Sequence, residues 1–262
     1  MTSPVAPVSM DNRPAIPNKL RDDAIIEAIC LLQYEAKELP EVIIGRLSDE
    51  SKWKGYTPAR LPWADIPFPL RKADPNLAAQ PTLELRSGDG ARVVRVGESV
   101  ISYHVVGANK YCGWTQFRQE LIGAFGSLFE KLEAPEVKKI SFRYVNAIVG
   151  QRHAIKSVHE LNLDVRIDDT KLDGPINLNY ITSTERHVIT TRVAHVNFVQ
   201  VQRGSLPPGT SAVVDVEVTS PPKFGTSSLR EAMEWIEEAH TLEKQAFFRL
   251  IPRDILKKLT EE

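Results

Sequence analysis

The sequence predicts an α+β fold of two lobes, each an antiparallel β-meander packed on one long amphipathic helix. Three observations lead there. Short β-branched runs punctuated by turn residues occur between 83 and 106 and again between 176 and 218, a spacing that signals hairpins. Each set of strands is followed by a stripe of apolar residues at three- and four-residue spacing, over 114–132 and 229–250, which signals a helix buried on one side. Each set is also preceded by one further strand and a short helix, so the order of elements occurs twice. The predicted boundaries are an N-terminal arm over 1–20, a first lobe over 21–135 and a second over 136–262. Each lobe is long enough to bury a core.

Residues 1–20 hold Pro4, Pro7, Pro14 and Pro17 and read as an extended or disordered arm. The run Ile25–Tyr34 is apolar throughout. Periodicity alone does not separate strand from buried helix, and we read it as a strand. Pro40 opens a short helix to Leu47, in the first-turn position proline prefers. Residues 51–81 contain six prolines and the aromatic residues Trp53, Tyr56, Trp63 and Phe68. They read as a long functional loop. Strands follow at Leu83–Arg86, Arg92–Val96 and Ser99–Val106. The first long helix carries Trp114, Phe117, Leu121, Phe125, Leu128, Phe129 and Leu132 on one stripe and ends before Pro135.

In the second half, Val137–Ile148 reads as a strand with Ile140, Phe142, Tyr144, Asn146 and Ile148 on one face. Ser157–Leu161 reads as a short helix. Strands are expected near Ile176–Thr182, Val188–Val201 and Ala212–Val218. Ser228 and Glu231 have the spacing of a capping box and start the second long helix, with Leu229, Met233, Ile236, His240, Phe247 and Leu250 on its stripe. Pro252 ends it, and Asp254–Leu259 adds a final turn.

Composition narrows the function classes. The chain has 33 Lys and Arg against 34 Asp and Glu, a net charge of -1, which excludes a strongly basic nucleic-acid protein. No apolar run approaches the roughly 18 residues of a membrane span, and the first 19 residues lack the pattern of a signal peptide. A cytoplasmic protein is expected. The two cysteines, Cys30 and Cys112, form no CxxC and sit beside apolar residues, so both are expected to be buried. The sequence holds no phosphate-binding glycine loop, no nucleophile elbow and no paired metal-binding histidines. No cofactor and no metal are therefore expected.

Several side chains carry chemistry. Arg143, Tyr144 and Asn146 lie on one strand. Tyr144 and Asn146 face the apolar side and need partners there, while Arg143 points away. They fix a seam between lobes or line a cleft in which Arg143 or Arg152 holds an anion. Tyr111 and Trp114 stand at the start of the first long helix, as a hydrophobic staple or as an aromatic platform for a ligand. Asp215 and Glu217 share a strand face about 7 Å apart, as an acid–base pair or as a solvated face opposite Arg192 or Arg186. His240 lies within an apolar stripe with Lys244 one turn on, as a core histidine or a catalytic one. The candidate catalytic residues are thus Asp215 and His240, and the candidate binding residues are Tyr111, Trp114, Arg143, Tyr144 and Asn146. Lys138, Lys139, Arg143, Arg152, Lys156, Arg186, Arg192 and Arg203 make the middle of the chain locally basic, the one basis for nucleic-acid binding.

Four blocks of this sequence resemble a family of bacterial and archaeal proteins of about 260 residues, sporadically distributed and without a settled activity. They are Ala24-Ile25-Ile26-Glu27-Ala28-Ile29, Tyr111-Cys112-Gly113-Trp114-Thr115-Gln116-Phe117, Arg143-Tyr144-Val145-Asn146, and His240 with Phe247 and the helix end. The chain departs from the family at Asp23-Ala24, where proline is usual. The family's patchy distribution implies mobile genes, including toxin–antitoxin and phage-defence cassettes. The expectation is a non-enzymatic interaction protein, antitoxin-like or defence-associated, that binds a neighbouring gene product. Self-association as a homodimer is a further expectation. Two other readings stand beside it. One is an enzyme with an inter-lobe cleft acting on an anionic, nucleotide or phosphate-bearing substrate, in which Arg143, Tyr144, Asn146, Asp215 and His240 converge. The other is an RNA- or DNA-binding module.

Overall fold

A computed structural model describes residues 16–17, 20–49, 51–199 and 206–260. The predicted N-terminal arm lies mostly outside these residues. The strands are β1 (Ile25–Glu35), β2 (Tyr56–Arg60), β3 (Leu83–Ser87), β4 (Arg92–Gly97), β5 (Val100–Val106), β6 (Glu136–Val149), β7 (Arg166–Ile167), β8 (Thr170–Lys171), β9 (Asn177–Ser183), β10 (Val188–His195) and β11 (Thr210–Thr219). The helices are α1 (Pro40–Leu47), α2 (Phe68–Ala73), α3 (Pro75–Ala78), α4 (Trp114–Lys131), α5 (Gly150–His153), α6 (Leu229–Leu250) and α7 (Arg253–Thr260).

Nine strands form one antiparallel sheet in the order β2-β3-β4-β5-β1-β6-β11-β10-β9. The segments before and after residue 135 meet at its middle, where β1 and β6 pair along most of their length. On either side the order repeats outward, β5-β4-β3 from β1 and β11-β10-β9 from β6. The α+β class holds, and the sheet that carries it is continuous.

Period-two alternation divides the sheet into two faces. Ala28, Cys30 and Leu32 stand opposite Tyr144, Phe142 and Ile140, and these stand opposite Val216, Val218 and Ser220 or their neighbours on β11. All of the apolar members are buried. The stripe of α4 packs on this face through Phe117, whose ring is tilted against those of Phe142 and Tyr144 at 6.2 Å between ring centres. Leu121, Phe125 and Leu128 continue the stripe inward. The stripe of α6 adds Ala232, Met233, Ile236, Ala239, Phe247 and Leu250. Each large apolar side chain removed from water here contributes roughly 1.5–3 kcal/mol. The second face carries Glu27, Ile29 and Leu31 on β1 and Ser141, Arg143 and Val145 on β6.

Two local expectations change. The proline-rich stretch 51–81 is not a loop. It forms β2, a 3-10 turn over Pro62–Asp65, α2 and α3. Prolines start its helical turns, and Pro58 sits in β2, an edge strand of the sheet, where a missing N–H is tolerated. The stretch is held by the buried Arg71–Glu98 ion pair at 2.5 Å, by Ser99 Oγ donating to the Ala78 carbonyl and by Trp53, whose Nε1 donates to the Leu47 carbonyl at 2.8 Å. Of the four aromatic residues singled out there, Trp53 is buried and Trp63 is exposed. Cys30 is buried as expected, but Cys112 is exposed. It lies in the loop before α4, and its Sγ approaches Arg92 Nη2 at 3.8 Å instead of entering the core.

The cap of α6 also differs from the reciprocal box. Ser228 accepts the Glu231 N–H, but the Glu231 carboxylate takes the Thr226 hydroxyl at 2.6 Å, and Thr226 in turn accepts the Ser228 N–H. The ribbon β7–β8 was not anticipated. Its turn, Asp168-Asp169, has both residues at positive φ, as a two-residue type I′ hairpin requires.

Candidate functional site

The candidate residues separate onto the two faces of the sheet. Tyr111, Trp114, Tyr144, Asn146 and His240 come together on the helix-covered face, where they line a cavity of about 80 Å³ with Ile25, Glu243, Lys244 and Phe247. Arg143 and Asp215 lie on the opposite face, in contact with each other. The five residues of an inter-lobe cleft therefore divide three against two.

The cavity is built by three segments. Gly113, at φ 100°, turns the chain into α4 in a conformation that a residue with a Cβ rarely adopts, and it places Tyr111 and Trp114 on either side of that turn. From β6, Tyr144 brings its hydroxyl to 2.7 Å from that of Tyr111, and Asn146 Nδ2 donates to the Val214 carbonyl at 3.3 Å. Both polar groups expected to need partners thus have them. From α6, His240 stacks on Trp114, ring centres 4.0 Å apart and planes 7° from parallel. Burial, with Lys244 adding repulsion, holds the His240 imidazole down to about 3, so the ring is neutral near pH 7. Burial likewise raises the Tyr111 and Tyr144 phenols. Four separate stretches of the chain reach this one cavity, through Ile25, through Tyr111 and Trp114, through Tyr144 and Asn146, and through His240 and Phe247.

Glu243 was missed by the sequence reading. It is fully buried beside the cavity, and its Oε1 has no hydrogen-bond partner. Burial pushes its carboxyl well above the ordinary range, with Asp23 and Asp215 adding to the effect against Lys244. The signal was present: Glu243 falls four residues after Ala239 and four before Phe247, on the apolar stripe of α6.

The second face carries a groove of about 640 Å³ that runs from Arg86 on β3 to Asn177 on β9. A bulge at the start of β1 sets it up. The register with β6 shifts between Ile25 and Glu27, so Ile25 lines the cavity while Glu27 lines the groove. Asp215 accepts two hydrogen bonds of 2.7 Å from Arg143 Nε and Nη2, and a third of 3.0 Å from Arg192 Nη1. Glu217 accepts the Ser141 hydroxyl at 2.7 Å and lies 3.7 Å from Arg192. Across the groove, Glu84 sits between Arg86 and Arg95 at 3.0 and 3.1 Å. Between the two clusters, Ser102 Oγ lies 2.9 Å from His104 Nε2, and His104 Nδ1 lies 3.5 Å from Glu27. Burial lowers the His104 titration. A neutral ring that donates from Nδ1 to Glu27 and accepts from Ser102 satisfies both contacts.

Asp215 and Glu217 therefore face Arg192, one of the two arginines expected opposite them. The other, Arg186, pairs with Glu238 on α6 at 2.9 Å. Elsewhere in the locally basic stretch, Lys138 is paired with Glu136 and Glu35, and Arg203 lies outside the described residues. The four arginines that line the groove (86, 95, 143, 192) stand against three lining carboxylates (Glu27, Asp215, Glu217) and Glu84 bound beside them, so these clusters largely cancel their own charge.

Among the described residues, no group of three or more His, Cys, Asp or Glu side chains is arranged to hold a metal ion. No helix among them is long and apolar enough to cross a membrane. No family model matches the chain, and no curated protein matches it.

Proposed function

We propose that this protein is a non-enzymatic interaction component that receives a segment of a partner protein in the groove across the open face of its sheet. The observation that carries this reading is the groove's self-paired charge. Its arginines and carboxylates are already fixed to one another at 2.7–3.7 Å, beside half-buried Ile29 and Leu31 and an exposed Phe198. Charges held in place by their own neighbours present a patterned surface that specifies a partner of mixed charge. An exposed aromatic side chain at the rim is the kind of group that anchors such interfaces. The groove crosses seven strand spacings, about 33 Å on a flat sheet, the length of roughly ten extended residues.

Membership in the family that the four blocks resemble belongs to the same proposal, as does the role that family implies: an antitoxin-like or phage-defence-associated partner of a neighbouring gene product, in the cytoplasm. So does the finer reading of the fold as two lobes, each a meander with its own long helix.

The test is purification of the tagged chain from its native host, alongside the Phe198→Asp variant. The expected result is one protein partner in stoichiometric amount, weakened by about 10-fold or more in the variant, with the circular dichroism and Tm of the two chains equal. Light scattering on the same samples reports a homodimer. A partner held equally by both chains would remove the groove from the reading. A raised 260/280 nm ratio with salt-sensitive binding would replace it with nucleic-acid binding.

A further inference from the structure

The cavity under the start of α4 is independent of that groove and lies on the other face of the sheet. Its distinguishing feature is the Glu243 carboxyl, delivered inward by the apolar stripe of α6, with Oε1 buried and without a hydrogen-bond partner. A buried carboxyl in this state must hold a proton or meet a cation. The remaining charged and titratable groups around it come from each element that packs there: Asp23 before β1, Tyr111 before α4, Tyr144 on β6, and His240 and Lys244 on α6. Asp215 adds its field from beyond the sheet. With His240 and the two phenols neutral, no group of the lining donates to Glu243 Oε1. A ligand cation that does so lets the carboxyl give up its proton and remain buried.

The rest of the lining suits an organic cation. Trp114, Tyr111, Phe247 and Phe248 supply aromatic surface, which attracts ammonium and guanidinium groups and covers alkyl chains. The volume of about 80 Å³ admits a chain of a few heavy atoms. We propose that this cavity binds a primary alkylammonium or guanidinium group, whose N–H donors bond to Glu243 while its carbon chain lies against Trp114 and Phe247.

Two consequences follow from a buried Glu243 beside Lys244. In the empty site Glu243 keeps a proton, so binding a cation near pH 7 releases it, and affinity rises with pH. Lys244, a neighbouring cation whose own ammonium is disfavoured by burial, opposes the ligand.

Isothermal titration of the full chain with n-butylammonium chloride at pH 7, in phosphate and in HEPES, which differ in ionisation heat and contain no primary amine, tests this. The expected result is saturable 1:1 binding, no binding of n-butanol, and a buffer-dependent heat corresponding to release of about one proton. Glu243→Gln, isosteric and checked for folding by circular dichroism, is expected to weaken binding about 10-fold or more and to abolish the buffer dependence. Lys244→Met is expected to tighten binding several-fold and serves as the deciding variant if E243Q does not fold. A blocked lysine, Nα-acetyl-lysine methylamide, distinguishes the source of the cation: binding as tight as butylammonium points to a polypeptide side chain, and binding of the free amine alone to a small ligand. No saturation below about 10 mM butylammonium, equal binding of n-butanol, or unchanged affinity in both variants would overturn the proposal. Phe198→Asp leaves this site untouched, so the two readings fail separately.

Discussion

The two faces of the central sheet are made by the same strands and differ in what lies over them. On one face α4 and α6 exclude water, and the side chains are apolar down to the cavity, where Glu243 and His240 interrupt them. On the other face arginines and carboxylates alternate with half-buried aliphatic residues, and Glu84, Asp215 and Glu217 meet arginines on neighbouring strands. Alternation alone generates the two sets. The covering helices decide their energetics, because a polar group beneath a helix must find a partner or give up its charge, whereas one in the groove keeps access to water. The contrast separates a face that stabilises the fold from one whose charges are available to a partner.

The largest effect that tests this contrast is Phe142→Ala. Phe142 packs against Trp114, Tyr144 and His240, and its truncation is expected to cost about 3–5 kcal/mol in urea denaturation. Leu31→Ala on the open face is expected to cost about 1 kcal/mol. Equal costs would mean that both faces belong to one closed core.

A second test concerns His240. Its imidazole titrates at about 3 in the folded protein, below the roughly 6.5 of an unfolded chain. Between these values the unfolded chain binds more protons. The stability that neutral His240 contributes is therefore complete above pH 6.5 and is lost as pH falls toward 3. His240→Phe keeps a ring on Trp114 and removes this contribution, up to about 2 kcal/mol between pH 7 and 5. Burial lowers His104, His153 and His187 as well, so the variant keeps part of the acid slope. Identical slopes in the two proteins would place His240 in water, not against the indole.

The smallest effect sharpens the open face. Asp215→Ala leaves Arg143 and Arg192 without their shared acceptor. These side chains are 33% and 40% exposed, so water replaces the carboxylate and the expected loss is about 1–2 kcal/mol by thermal denaturation. A loss above about 4 kcal/mol would show that the groove is as dry as the helix-covered face.

Much of the fold was legible because period and punctuation are local. The stripe of α4, the face of β6 from Ile140 to Ile148, and the proline that opens α1 each follow from a few neighbouring residues. The stretch 51–81 was misread because proline marks loop, helix start and edge strand alike, and only pairing with β3 selects among them. The cavity was legible in part. Tyr111, Trp114, Tyr144, Asn146 and His240 were each singled out, yet Glu243 was passed over on the stripe that holds it. The groove clusters were less legible, since Glu27, Glu84, Arg95 and His104 look like ordinary solvated positions until four strands from two segments of the chain bring them together.

By itself the sequence determined which residues alternate, which stripes are apolar and where helices start and stop, because these depend on interactions within a few residues. Only the tertiary structure decided that β1 pairs with β6 to make a single sheet, that a bulge at Ile26 sends Ile25 to the cavity and Glu27 to the groove, and that Arg143, on the face opposite Tyr144 and Asn146, meets Asp215. Each of these depends on register between segments distant in sequence. A shift of one residue there exchanges the two faces, and no local pattern records it.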